Sequence, residues 1–254
     1  MADLKAFLFD VDGTLADTER DGHRVAFNLA FEEYGLGWDW SVDTYGKLLE
    51  VTGGKERMKF YVDHFLRDNE IPDNIEAMIP ELHQAKTRHY TELLSTGAIP
   101  LRPGVERLIN EAREKSYRLA IATTTTPENV TALLEHTLGS ESIDWFEVIA
   151  AGDIVPAKKP APDIYDYAME KMSLTPEECI AFEDSINGIK SSMGAKLKTI
   201  ITINDYTRDH DFTGASIVLD QMGEPEQPFS VLAGDAGDAA YLDCELVERL
   251  HQKA

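Results

Sequence analysis

Short apolar runs recur along the chain at 6–9, 119–122, 148–151, 180–182, 199–203 and 217–219, each closed by small or acidic residues and separated by stretches with helical spacing. Runs of this length alternating with helices predict a parallel sheet covered on both faces. The interval between the first two runs is too long for one helix. From Glu19 to about Leu94 no strand pattern occurs, while Phe27, Ala30, Phe31 and Tyr34 keep the i, i+3, i+4, i+7 spacing of one helix face before Gly35 stops it. The pattern therefore predicts an α/β core made of 1–16 and 95–254, with a small helical domain, 17–94, inserted after the first strand.

Within the core, Pro103 is expected to open a helix striped by Val105, Leu108, Ile109 and Ala112, and Pro162 another carrying Ile164 and Ala168. Thr175-Pro176-Glu177-Glu178 has the capping threonine, early proline and later glutamate of a further helix start. The stretch 223–237, rich in glycine, proline and acids, reads as a loop before a last amphipathic helix with Leu242, Leu246 and Leu250.

Composition narrows the classes. A chain of 254 residues, 43% hydrophobic and 28% charged, is expected to be soluble and globular, with one or two domains. No run reaches the roughly 18 apolar residues of a membrane span, so no membrane partner is expected. Against 24 Lys plus Arg stand 46 Asp plus Glu, a formal charge of −22, which argues against nucleic acid on a broad basic face. A phosphate ligand would have to meet local cations. Two cysteines, Cys179 and Cys244, are too few for a disulfide framework, and the first apolar run is interrupted by Asp10, unlike a signal peptide. The expectation is a cytoplasmic protein, and a monomer, since no association stripe stands out.

The sharpest chemical signal is Phe9-Asp10-Val11-Asp12-Gly13-Thr14, at the carboxyl end of the first strand, where open α/β sheets bind ligands. A turn at Gly13 lets both carboxylates face one ligand. Asp10 then suits attack on phosphorus, and Asp12 suits proton transfer to the leaving oxygen and from water. Paired carboxylates repel a phosphate dianion, so this reading requires a cation, for which Mg2+ is suited. A further carboxylate is available in Glu183-Asp184-Ser185, where Asp184 is either a metal ligand, a helix cap or both. Thr123-Thr124-Thr125-Thr126-Pro127 follows the second strand with hydroxyls and N–H groups for phosphoryl oxygens, and Lys158-Lys159-Pro160 brings an ammonium.

This order, Asp-x-Asp-Gly-Thr, then Thr after a strand, then Lys before Pro, then Glu-Asp, resembles the haloacid dehalogenase superfamily of phosphatases over nearly the whole chain. The resemblance implies a Rossmann-like core with an inserted cap, Asp10 as nucleophile, Asp12 as acid/base, Thr123 and Lys159 as phosphoryl-binding groups, and Asp10, Asp184 and the Asp12 carbonyl as Mg2+ ligands. The helical insertion is similar to the cap of the branch containing β-phosphoglucomutase. Within it, Thr18-Glu19-Arg20-Asp21-Gly22-His23-Arg24 and Val51-Thr52-Gly53-Gly54-Lys55-Glu56-Arg57 most resemble the CbbY group of carbon-fixing organisms, which resemble phosphatases of xylulose 1,5-bisphosphate, an inhibitor of ribulose bisphosphate carboxylase.

That likeness implies a small sugar bisphosphate as substrate. Its contacts would come from Glu19, His23, Arg24, Thr52, Gly53, Gly54 and Lys55 in the cap and from Thr124, Thr125 and Thr126 in the core. Two positions stay open: His23 is either a substrate contact or a packing residue, and Lys55 and Arg57 either clamp an anion or sit solvated on a loop. A sugar-phosphate mutase is the nearest alternative, but Thr124-Thr125-Thr126-Pro127 lacks the lysine of the mutase pattern. A phospho-accepting signalling module is another. Against it stand the chain length and the position of Asp10 on the first strand.

Overall fold

All six apolar runs form strands, β1 (Ala6–Phe9), β2 (Arg118–Ala122), β3 (Phe146–Ala150), β4 (Cys179–Glu183), β5 (Lys198–Thr202) and β6 (Ile217–Leu219), in a computed structural model that describes residues 2–97 and 99–253. A seventh, β7 (Val231–Ala233), joins them in the order β3-β2-β1-β4-β5-β6-β7, parallel throughout except for β7 against β6. The expected loop 223–237 thus contains a strand. All three residues of β7 are exposed at the sheet edge, so neither alternation nor a buried run marks them in the sequence.

Strand β1 runs between β2 and β4, with Phe9 opposite both Ile121 and Phe182. This register brings the residues just past three strands side by side. The pleat sends Phe7, Phe9, Ile121 and Phe182 into one layer and Ala6, Leu8, Ala120 and Ala181 into the other. On the first face the rings of Phe9 and Phe182 stack with centroids 4.4 Å apart.

Between β1 and β2 the chain forms α1 (Arg24–Glu33), α2 (Val42–Leu48), α3 (Gly54–Phe65) and α4 (Ile75–Ser95), and a π-helical turn, Glu19–His23, leads directly into α1. Their own apolar cluster gathers Phe27, Phe31, Trp38, Trp40, Tyr45 and Tyr61 among others, while Ala26, Tyr90 and Leu94 reach into the cluster of the sheet. The core helices are α5 (Val105–Glu114), α6 (Pro127–Leu138), α7 (Asp163–Met172), α8 (Ile186–Gly194) and α9 (Cys244–Gln252). Pro103 does not open α5. Gly104 intervenes at φ 87°, where a Cβ would come within 2.4 Å of the Gly223 carbonyl oxygen. The capping box at Thr175 is present but closes a single 3-10 turn, Pro176–Glu178, that passes straight into β4. Among the described residues no helix is long and apolar enough to cross a membrane.

Trp40 is fully buried, with its ring 4.6 Å from Phe27, 4.9 Å from Phe31 and 5.3 Å from Tyr61. Trp40→Ala should destabilise the protein by about 3–5 kcal/mol in urea unfolding, as deletion of large core aromatics does. A loss below about 1 kcal/mol would contradict this packing.

Candidate active site

Asp10 directly extends β1, its N–H donating to the Phe182 carbonyl at 3.0 Å, and its side chain lies at the C-terminal edge of the sheet. Lys159, buried beneath the same edge, donates to Asp10 Oδ1 at 2.7 Å and to Glu183 Oε1 at 2.6 Å. The Tyr165 hydroxyl donates to the same Glu183 oxygen at 2.6 Å. Thr14 donates to Asp10 Oδ2 at 3.3 Å, and Asn204 donates to Asp184 Oδ2 at 2.6 Å. Asp184 does not cap α8. Ser185 does, its Oγ accepting from the Gly188 N–H at 3.1 Å, which leaves the Asp184 carboxylate to the site.

Asp10, Glu183 and Asp184 are buried and each offers a carboxylate oxygen within 4.8 Å of the others. Burial raises the Asp10 carboxyl to about 7 against the opposing charge of Lys159, and burial with the charges of Asp10 and Glu183 pushes Asp184 well up. Burial alone would lower Lys159, but its two carboxylate partners outweigh that and keep it firmly an ammonium. One ammonium against three close carboxylates leaves an excess of negative charge made of hard oxygen donors, the environment that a divalent cation fits.

Asp12 lines the same cavity but takes other partners. Its Oδ1 accepts from the Thr18 hydroxyl at 2.6 Å and lies 2.7 Å from His23 Nε2, while His23 Nδ1 is 2.8 Å from Lys86 Nζ. Lysine can only donate here, so Nδ1 accepts and Nε2 carries the proton aimed at Asp12. Burial would raise the Asp12 carboxyl, but the contact with His23, the hydrogen bond from Thr18 and the charge of Lys86 hold it well below the usual carboxylate range. Burial lowers Lys86 to about 8, and lowers the nearby His83 to about 3. The bent supply line Lys86–His23–Asp12 therefore joins α4, the turn before α1 and the loop after β1.

The helices close over these groups. Tyr45 donates to Glu19 Oε2 and accepts from Arg57 Nη1 at 2.7 Å, so the buried Arg57 is fixed above the sheet edge. Glu19, Thr52 and Arg57 line, with Asp10, Lys159 and Asp184, a cavity of about 300 Å3, to which Asp12, Thr123 and Thr124 also contribute. A smaller cavity of about 40 Å3 adjoins it, lined by His23, Gly53, Gly54, Thr125 and Thr126 besides Lys86. Beyond it, Lys55 pairs with Asp153 at 2.6 Å, and Lys158 pairs with Asp153 at 2.9 Å and Glu56 at 3.0 Å, an exposed ladder between α3 and the loop after β3.

Most of the residues expected from the sequence therefore share one pair of cavities. Lys55 is an exception, held outward in the ladder. Arg24 is another, since it donates to the carbonyls of Arg20 at 3.1 Å and Trp40 at 3.1 Å and lines a separate surface groove. His23 is both packed, stacked 4.0 Å from Tyr90, and bonded to Asp12. Sequence reasoning missed Glu183, Tyr45, Lys86 and Asn204 and left Arg57 undecided. Lys86 did leave a signal: Leu82, Lys86, Tyr90 and Leu94 share one buried face of α4 at four-residue spacing.

Gly13, at φ 87°, lets the loop pass Asp184, where a Cβ would lie 2.3 Å from Asp184 Oδ2 and 2.5 Å from Asn204 Nδ2. Gly13→Ala should weaken the binding of Mn2+, titrated calorimetrically, by about tenfold or more, a loss of about 1.4 kcal/mol. Unchanged affinity would contradict the assignment of the triad.

The chain matches the haloacid dehalogenase-like hydrolase family over residues 4–193. It is 49% identical over 213 residues to protein CbbY of Rhodobacter capsulatus, covering 84% of this chain and 91% of that one. The crystal structure of CbbY from Rhodobacter sphaeroides in complex with phosphate superposes with a TM-score of 0.80 at 44% identity, over 86% of this chain and 94% of that one. A mutant of the same protein in complex with xylulose 1,5-bisphosphate gives a TM-score of 0.81 at the same identity and coverage. With a family match across most of its length and relatives approaching half identity, this chain belongs to the haloacid dehalogenase-like hydrolases.

Proposed function

We propose that this enzyme is a phosphatase of a small sugar bisphosphate, with xylulose 1,5-bisphosphate as its substrate and Mg2+ as its cofactor, and that 17–94 acts as a cap over a core of 1–16 and 95–254. The observation that carries the reading is the pairing of Asp10 with Lys159 on the floor of a cavity whose roof holds the buried Arg57. One ester phosphate would rest at the floor, and the roof cation suits the second, in a protein otherwise strongly anionic. The complex of a close relative with that bisphosphate supports the choice of sugar.

In this mechanism an Asp10 oxygen attacks phosphorus and the ester P–O bond breaks, leaving an aspartyl phosphate. The departing sugar oxygen takes a proton from Asp12, which has first received it from His23 Nε2 as Lys86 gives one to Nδ1, so that Asp12 is left a carboxylate. Asp12 then takes a proton from water as that water attacks the phosphorus, releasing phosphate and restoring Asp10. Lys159 and Thr123 hold the phosphoryl oxygens. Mg2+ held by Asp10, Asp184 and the Asp12 carbonyl would neutralise the charge that otherwise keeps a dianion away.

Phosphate release from xylulose 1,5-bisphosphate, followed with and without a chelator, tests the reading. Asp10→Asn should lose at least about 1,000-fold in kcat, and chelation should abolish turnover. Release that survives the substitution rejects the mechanism, and a rearranged monophosphate in place of free phosphate indicates a mutase. The pH profile gives a second test. Lys86 is a cation below about 8 and loses its proton above it, so kcat should fall on the alkaline side with an apparent pKa near 8. Lys86→Met should remove that limb, and a wild-type profile flat to about pH 9.5 would contradict the relay.

A further inference from the structure

We propose that Arg102 is a positioning residue for the catalytic groups, acting through Thr14 and Asn204. This rests on the reading of Asp10 and Asp184 given above. Arg102 lies in the segment that returns from α4 to α5, is buried, and has its N–H donating to the Leu15 carbonyl at 2.8 Å next to an isolated antiparallel bridge between Ala16 and Leu101. The two connections between the helices and the sheet are thus laced together where Arg102 enters.

Its guanidinium then reaches the active-site loops. Nη1 donates to the Gly13 carbonyl and, at 3.1 Å and 3.2 Å, to the carbonyl and hydroxyl of Thr202. Nη2 donates to the carbonyl of Ile203 and, at 2.9 Å, to that of Asp220. Nε lies 3.3 Å from Asp17 Oδ1. The carbonyls of Gly13 and Ile203 belong to the peptides that immediately precede Thr14 and Asn204. Thr14 donates to Asp10 at 3.3 Å, beside Lys159, and Asn204 donates to Asp184 at 2.6 Å. One planar fork therefore sets the orientation of two peptide planes, and through them the approach of one donor to each carboxylate. An ammonium cannot reproduce this, because it lacks the rigid fork.

The guanidinium also lines an open cavity of about 370 Å3, together with Gly13, Asp17, Asn204 and Asp220, so a small cation can reach its place from solvent. The test compares wild type, Arg102→Ala, Arg102→Lys and Arg107→Ala in phosphate release from xylulose 1,5-bisphosphate, with kcat and KM separated. Arg107 is the control: it also makes several hydrogen bonds, to Glu224, Gly223 and Leu242, but away from the site. Expected are a fall in kcat of roughly 30- to 100-fold for Arg102→Ala with KM within about threefold, partial recovery on adding free guanidinium but not sodium, and near-normal kcat for Arg107→Ala. If the alanine variant does not fold, Arg102→Lys decides: kcat at least about tenfold down sustains the proposal and wild-type kcat overturns it.

A kcat for Arg102→Ala within about threefold of wild type overturns it, as does a loss that guanidinium leaves untouched or that Arg107→Ala matches. If wild type releases no phosphate, the functional reading fails and calorimetric Mn2+ binding still judges this one. About tenfold weaker binding in Arg102→Lys supports it, and equal binding overturns it.

Discussion

Repulsion among three carboxylates buried at one sheet edge is the constraint around which this molecule is organised. Two like charges at about 4 Å repel by roughly 4 kcal/mol at an effective dielectric of about 20, and Asp10, Glu183 and Asp184 crowd within 4.8 Å of one another. Lys159 relieves part of this by bonding to two of the three, Tyr165 adds a second donor to the Glu183 oxygen that Lys159 holds, and Asn204 donates to Asp184. Such a cluster costs stability, and the sheet sustains it because strand register, in a close-packed two-faced core, leaves the side chains little room to move apart.

A second tier of charge stands above the first. Arg57 and Lys86 are cations buried on the helical side, Arg57 tied through Tyr45 to Glu19 within the helices and Lys86 tied through His23 to Asp12 of the core. Separating the helices from the sheet would break the second line at His23–Asp12 and leave the first intact. Proton supply thus depends on the helices meeting the sheet, whereas the roof cation is oriented within the helices alone.

The sheet was legible because its strands are continuous apolar runs whose ends carry the acids, and the register of β1 with β2 and β4 does the rest. Asp10, Asp12, Thr123 and Asp184 meet at one edge because each stands just past a strand end, and Lys159 reaches it from the loop before α7. The residues that escaped notice sit inside helices or loops whose partners are remote in sequence. Tyr45 meets Arg57 only once α2 and α3 pack, and Asn204 meets Asp184 across two strand ends. Lys55 and Arg24 misled for the opposite reason: glycine neighbours and a charged hinge suggested exposure to ligand, whereas an aspartate on the facing loop and a backbone carbonyl had claimed them. β7 was hidden because an edge strand with no buried side has no pattern to show.

The turn from β4 into α8 divides its work between adjacent residues, with Ser185 capping the start of the helix and Asp184 serving the pocket. Had the aspartate done both, any shift of the helix would have dragged an anion with it, and any demand from the pocket would have frayed the helix. Splitting the tasks by one position lets the scaffold and the chemistry drift independently over generations. The same turn can carry different reactions without being rebuilt.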